Sequence, residues 1–213
     1  MGTKLGSISV SKFFGIFYSS ESHMLRNSGN GIFIGRSEKF NIPFLLGKEN
    51  LLNLHTFIFG STGSGKSYLM KSMITRIISE TNSKLAIVDI TGEYKQIVDY
   101  FGISEYEINP EEFLLSNVRL AYYNISNFNE IKKVEEAEHI ISSLIEGMRK
   151  RGIGQKEDAL IFLDEAWKLL LKSNTIDILL REGRKYNVGA VLASQLIEDI
   201  DPSMLSNIST IFV

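Results

Sequence analysis

The stretch His55-Thr56-Phe57-Ile58-Phe59-Gly60-Ser61-Thr62-Gly63-Ser64-Gly65-Lys66-Ser67 decides how this chain is read. A short apolar run suited to a buried strand enters a glycine-rich loop. The loop in turn opens a helix expected from Lys66 to about Ser79. The spacing G-x-x-x-x-G-K-S has meaning in that context because the physics is anion capture. Gly60, Gly63 and Gly65 let the loop fold back so that backbone N–H groups face a phosphate chain. The helix N-terminus behind them adds partial positive charge. Lys66 is then expected to reach the β- and γ-phosphates, and the Ser67 hydroxyl to complete a Mg²⁺ shell. Gly60, Ser61, Thr62, Gly63, Ser64, Gly65, Lys66 and Ser67, with Tyr68 beside them, form the expected binding set.

A second stretch, Ala159-Leu160-Ile161-Phe162-Leu163-Asp164-Glu165, is an apolar run ending in two acids. Opposite a phosphate loop, Asp164 is placed to hold the Mg²⁺ shell and Glu165 to orient and deprotonate an attacking water. Between the two stretches, Lys84 precedes the run Leu85 to Val88, which ends in Asp89. Continuous apolar runs suit parallel strands covered on both faces, and open α/β sheets place ligands at the strands' carboxyl ends. Asp89 is equally readable as a helix-capping residue. Further on, the strand Val188 to Ala193 leads into Ser194-Gln195, which puts Gln195 where a γ-phosphate would be sensed. Arg181, Arg184 and Lys185 form either a solvated helix face or a source of charge stabilisation, in this site or a neighbouring subunit's.

The helix after the phosphate loop carries Leu69, Met70, Met73, Ile74, Ile77 and Ile78 as its core stripe. A helix through Ile97, Val98 and Phe101 stops at Gly102, and Pro110 opens a short helix through Leu115. Val118 to Tyr123 reads as an edge strand. A longer helix is expected from near Asn127, paired with Glu130 as in a capping box, to about Lys150. Its stripe reads Ile131, Val134, Ile141, Leu144, Ile145 and Met148. Arg149-Lys150-Arg151 either complements that helix's dipole or forms a basic loop for phosphates in a channel. A helix through Trp167 to Leu171, with Trp167 in the core, and a terminal strand at Ile211 to Val213 complete the second half. At the other end, Phe13 to Tyr18 is a possible strand, and Ile32–Gly35 with Pro43–Gly47 reads as a hairpin.

Length and composition bound the rest. The 213 residues suit one α/β domain with a small appendage, expected as residues 1–50 and 51–213. No apolar run approaches the roughly 18 residues of a membrane span, and Met1 to Val10 lacks the marks of a signal peptide. The absence of cysteine excludes disulfides and thiolate metal sites and fits a cytoplasmic location. At a net charge of −2, contact with nucleic acid has to come from local clusters or from an oligomer.

Four stretches, in order, carry a resemblance to one family. They are the Gly60–Ser67 loop, Asp89-x-x-Gly92-Glu93-Tyr94, Asp164-Glu165-Ala166, and Gly183-Arg184-Lys185 followed by Ala193-Ser194-Gln195 and Asp201-Pro202. The chain resembles the HerA-type ATPases of the HerA/FtsK superfamily, which includes the conjugative and type IV secretion ATPases. The resemblance runs from about Ile34 to the C-terminus. It implies an α/β fold, a RecA-like P-loop NTPase core with a mostly parallel central sheet flanked by helices, beside a small N-terminal β appendage. It also implies ATP and Mg²⁺ as cofactors and a ring, usually a hexamer, around a translocated polymer. Carried across, Lys66 and Ser67 serve nucleotide and magnesium, Asp164 is the acid at the end of its strand, and Glu165 activates water. Gln195 senses the γ-phosphate, and Arg184, with Arg181 as runner-up, acts across a subunit boundary. Trp167 stands where DNA-repair HerA proteins usually have His, and a Trp there is more like the conjugative ATPases. The N-terminal β-barrel and C-terminal extension of full HerA proteins have no counterpart in this sequence.

The leading expectation is an ATP-hydrolysing motor that translocates DNA in repair, packaging or transfer. A second is a conjugation or secretion ATPase moving protein or nucleoprotein at a membrane-associated complex without itself entering the bilayer. A third, from another class, is a non-hydrolysing nucleotide switch or scaffold. The pairing of Glu165 with Gln195 argues against the third, because a mere binder has no use for a poised water.

Overall fold

The computed structural model describes residues 32–36, 43–46, 54–102, 108–170, 174–195 and 201–213. The chain divides into two units, Met1–Asn50 and Leu51–Val213. In the first, β1 (Ile32–Arg36) and β2 (Pro43–Leu46) pair antiparallel, with a register shift between Phe33 and Gly35. The expected hairpin is therefore present, while the strand expected at Phe13 to Tyr18 lies outside the described residues.

In the second unit the apolar runs become β3 (Thr56–Phe59), β4 (Lys84–Asp89), β5 (Leu120–Asn124), β6 (Ala159–Leu163), β7 (Val188–Ser194) and β8 (Thr210–Phe212). They form one sheet in the order β5-β4-β6-β7-β3-β8, and every pairing is parallel. Parallel neighbours require crossovers, and crossover helices cover both faces of the sheet. That is why β4 and β7 are buried at every position. β5 is an edge strand as expected, displaced toward the C-terminus relative to the Val118–Tyr123 reading.

The helices are α1 (Lys66–Glu80), α2 (Lys95–Tyr100), α3 (Pro110–Phe113), α4 (Glu130–Arg151), α5 (Trp167–Leu170), α6 (Thr175–Glu182) and α7 (Pro202–Leu205), with a 3-10 turn at Gly183–Tyr186. α1 buries Met70, Met73, Ile74 and Ile77. Each such side chain contributes roughly 1.5–3 kcal/mol when removed from water. The end of α1 is fixed by Arg119, whose Nη2 donates to the carbonyls of Ile77 at 3.1 Å and Ile78 at 2.8 Å, and to that of Thr81.

Two readings of α4 are corrected. Its cap is Asn129, not Asn127: the Asn129 Oδ1 accepts from the Lys132 N–H at 2.9 Å. With the start set there, Ile131 falls in the first turn on the outer face and is 71% exposed, so it leaves the buried stripe. Val134, Ala137, Ile140, Ile141, Leu144, Ile145 and Met148 fill that stripe. The basic run at the helix end is paired throughout. Arg149 forms a two-pronged bond to Glu182 at 2.9 and 3.0 Å, Lys150 meets Glu111, and Arg151 meets Glu157 at 3.3 Å. This arrangement matches the dipole-complementing alternative rather than a free basic loop.

Candidate active site

β7 lies between β3 and β6, so the segments leaving all three strands emerge side by side at one edge of the sheet. Adjacent strands are about 4.8 Å apart, which brings residues widely separated in sequence into one pocket. The register pairs Phe59 with Ser194 and Leu163 with Leu192. Gly60, Gln195 and Asp164 therefore follow from neighbouring strand ends.

The loop is built as its composition requires. Gly65, the residue before α1, has φ 100°, a left-handed backbone that side-chain-bearing residues rarely adopt. The Lys66 ammonium folds over the loop and donates to the carbonyls of Gly60 at 2.6 Å and Ser61 at 3.2 Å. Ser61, Thr62, Gly63 and Ser64 are exposed and open to a ligand. Tyr68, in the first turn of α1, is 78% exposed.

Across the pocket, the Ser67 hydroxyl donates to Asp164 Oδ2 at 3.3 Å. Asp164 is only 4% exposed. Burial pushes its carboxyl above the usual carboxylate range, against the pull of hydrogen bonds from the Tyr94 hydroxyl, the Glu165 N–H and Ser67. Oδ1 accepts from the Glu165 N–H at 2.8 Å, and Oδ2 accepts from the Tyr94 hydroxyl at 2.8 Å. Glu165 itself stands at φ 55° without being glycine. Such a backbone costs on the order of 1–3 kcal/mol and clusters at functional sites. The turn is held by the neighbouring Ala166 N–H, which donates to the Ala193 carbonyl at 2.8 Å. At the exit of β7 the Gln195 amide donates to Glu165 Oε1 at 3.4 Å.

The residues present fit a hard divalent cation beside a phosphate chain. A hydroxyl and a buried carboxylate face each other at 3.3 Å beside the loop that would hold the phosphates, and Mg²⁺ prefers few protein oxygens plus substrate oxygens. Among the described residues no group of three or more acids and histidines offers an all-protein cage, so the phosphates would complete the shell.

Lys66, Ser67, Asp164, Glu165 and Gln195 are thus brought together. Arg184 is not. It sits in the 3-10 turn before Val188, at the amino end of β7, whereas Gln195 follows its carboxyl end. The seven residues of β7 separate the two by roughly 20 Å. Arg181 pairs with Asp177 at 2.8 Å on α6. Asp89 proves to be a scaffold: it is fully buried and accepts from Thr91 N–H, Thr91 hydroxyl, Gly92 N–H, Tyr94 N–H and Tyr122 hydroxyl at 2.7–3.2 Å. Tyr94 is the site residue that sequence reasoning left without a role. Its signal was present in the Gly92-Glu93-Tyr94 motif, but nothing in the sequence shows which partner the hydroxyl meets.

Residues 32–187 match the family model described as "Helicase HerA, central domain". A curated relative, the DNA double-strand break repair helicase HerA of Sulfurisphaera tokodaii, is 28% identical over 138 residues, which cover 58% of this chain and 26% of that protein. The chain thus spans about a quarter of the length of that relative. Among solved structures, VirB4 of Thermoanaerobacter pseudethanolicus superposes with a TM-score of 0.63 at 15% identity, over 85% of this chain and 81% of that one. The genome packaging NTPase B204 from Sulfolobus turreted icosahedral virus 2, solved with ATP-gammaS, gives 0.51 at 19% identity over 72% and 71%. At these identities the structural likenesses establish the fold, a P-loop NTPase core.

Proposed function

Because the chain belongs to the family of the helicase HerA central domain, we propose that it is an ATP-hydrolysing motor domain that works on DNA as part of a ring of copies. The observation that carries the reading is the 3.3 Å approach of Ser67 to Asp164, which joins the phosphate loop and the acidic strand end into one pocket. In the proposed mechanism, Lys66 and the loop amides hold and orient the triphosphate. Ser67 and Asp164 would hold Mg²⁺, which when bound neutralises charge on the phosphate oxygens. Glu165 orients the attacking water and takes its proton, and Gln195, already against Glu165, turns its amide to the γ-phosphate. Positioning and charge neutralisation carry most of the acceleration in phosphoryl transfer. Arg184, at the amino end of β7 and away from its own chain's pocket, serves the pocket of an adjacent copy.

Glu165→Gln tests the assignment. Turnover is expected to fall by roughly 10²- to 10⁴-fold, the usual worth of a positioned base, while ATP stays bound. Wild-type turnover in the variant would show that the base is another group. ATP bound by the wild type without phosphate release, even with DNA present, would favour a nucleotide switch.

A second reading, a secretion or conjugation ATPase acting on protein or nucleoprotein, draws on the pairing of Arg149, Lys150 and Arg151 with acids, which leaves that run a poor phosphate tracker. Trp167 points the same way by family resemblance. DNA binding that weakens steeply with salt, together with DNA-stimulated hydrolysis, would favour the DNA motor. Among the described residues no helix is long and apolar enough to cross a membrane.

A further inference from the structure

A buried hydroxyl behind the pocket belongs to Tyr94. The residue is 1% exposed, and its ring packs behind the site with the hydroxyl 3.4 Å from Met70 Sδ and 2.8 Å from Asp164 Oδ2. That same carboxylate oxygen accepts from Ser67. Oδ2 of Asp164 therefore receives one hydrogen bond from behind, from a buried residue, and one from in front, from the residue expected on the cation.

What places Tyr94 is equally specific. Its N–H donates to Asp89 Oδ2 at 2.9 Å, and the Asp89 carboxylate gathers the turn from Thr91 to Tyr94 through four hydrogen bonds. A further bond, from the Tyr122 hydroxyl at 2.8 Å, ties Asp89 to the edge strand β5. The motif Asp89-x-x-Gly92-Glu93-Tyr94 thus works as a bracket: an acid at the end of β4 shapes a turn whose last side chain reaches the acid at the end of β6.

We propose that Tyr94 is a positioning residue for the divalent cation, fixing the Asp164 carboxylate in the orientation that receives the metal shell. The inference rests on reading the pocket as a nucleotide and Mg²⁺ site, and it assigns a task to a motif that the phosphate chemistry alone leaves idle. Partners one step behind metal ligands typically govern metal affinity by 10- to 100-fold. Here the hydroxyl donates to Oδ2 at 2.8 Å, and without it that oxygen keeps only the longer 3.3 Å bond from Ser67.

The test is equilibrium binding of a fluorescent ATP analogue to the full chain, titrated with Mg²⁺ and repeated in EDTA, for the wild type, Tyr94→Phe and Tyr122→Phe. Tyr94→Phe removes one oxygen and keeps the ring, and a thermal melt checks that it folds. The half-saturating Mg²⁺ concentration is expected to rise on the order of tenfold in Tyr94→Phe, with binding in EDTA changed less than about twofold. Tyr122→Phe loses a buried hydroxyl on Asp89 rather than Asp164 and is expected to keep the wild-type Mg²⁺ response. An unchanged Mg²⁺ response in Tyr94→Phe, or an equal shift in both variants, would overturn the inference alone. A wild type that binds the analogue neither with Mg²⁺ nor in EDTA would overturn the nucleotide reading, and this inference with it.

Discussion

At the scale of single residues, the pocket and the core make opposite demands on polar groups. Asp164 is buried yet supplied with three hydrogen-bond donors, which keeps a carboxylate tolerable where water is scarce. His55 is fully buried too, but for packing: its Nδ1 accepts from the Ala190 N–H at 3.1 Å, and burial lowers its pKa from 6.5 to about 4 against the opposing effect of a bond with the Leu180 backbone. The sign is clear. Between pH 6.5 and about 4 the unfolded chain binds a proton at His55 that the folded chain does not, so this part of the stability is present above 6.5 and lost as pH falls. The loss should amount to about 3 kcal/mol over that window. Melting temperatures of wild type and His55→Asn from pH 7 to 4.5 check this, with the variant expected to show the shallower pH dependence. Parallel curves would place the acid sensitivity elsewhere. Residues of this kind were the least legible in the sequence. His55 reads only as the first polar residue before a strand, and the partners that fix its charge, Leu180 and Ala190, are far along the chain.

Elements were easier to read where one periodicity ran long, and harder at their ends. The buried positions of α1 and the middle of α4 follow from spacing alone, because three or four turns of apolar side chains admit one face. Ile131 fits the same period but lies two residues after the Asn129 cap, where the helix has no core beneath it. The Gly183-Arg184-Lys185 segment shows a different limit. A Cβ at Gly183 would stand 2.5 Å from the Val188 carbonyl oxygen and 3.0 Å from His55 Cε1, so the glycine lets the 3-10 turn close onto the start of β7. Gly183→Ala is expected to cost about 1–3 kcal/mol, the usual toll of overpacking. Urea unfolding measures it, and a midpoint equal to wild type would mean that the turn is looser than drawn. Lys84 illustrates the same blindness: it opens β4 in the sequence, but its ammonium is turned onto the carbonyls of Phe113, Ser116 and Val118.

For the whole molecule, the decisive fact is the strand order, which no local pattern reveals. Apolar runs ending in polar residues announced β3, β6 and β7, yet only the order β6-β7-β3 puts Lys66, Asp164, Glu165 and Gln195 around one pocket. Arg184 stays at the opposite, amino end of β7, too far to serve its own chain's phosphates. Arg184→Ala is accordingly expected to lower hydrolysis on the order of 10³-fold if the guanidinium acts on a neighbour's nucleotide. Mixing it with Lys66→Ala should recover activity, since each partner supplies what the other lacks; mixtures as inactive as their parts would rule out that exchange. One measurement bears on the central claim most directly: phosphate release per chain as a function of protein concentration, with and without duplex DNA. A hydrolytic pocket completed by a second copy predicts a specific activity that climbs with concentration and climbs further with DNA. A rate per chain that stays flat under both would contradict it.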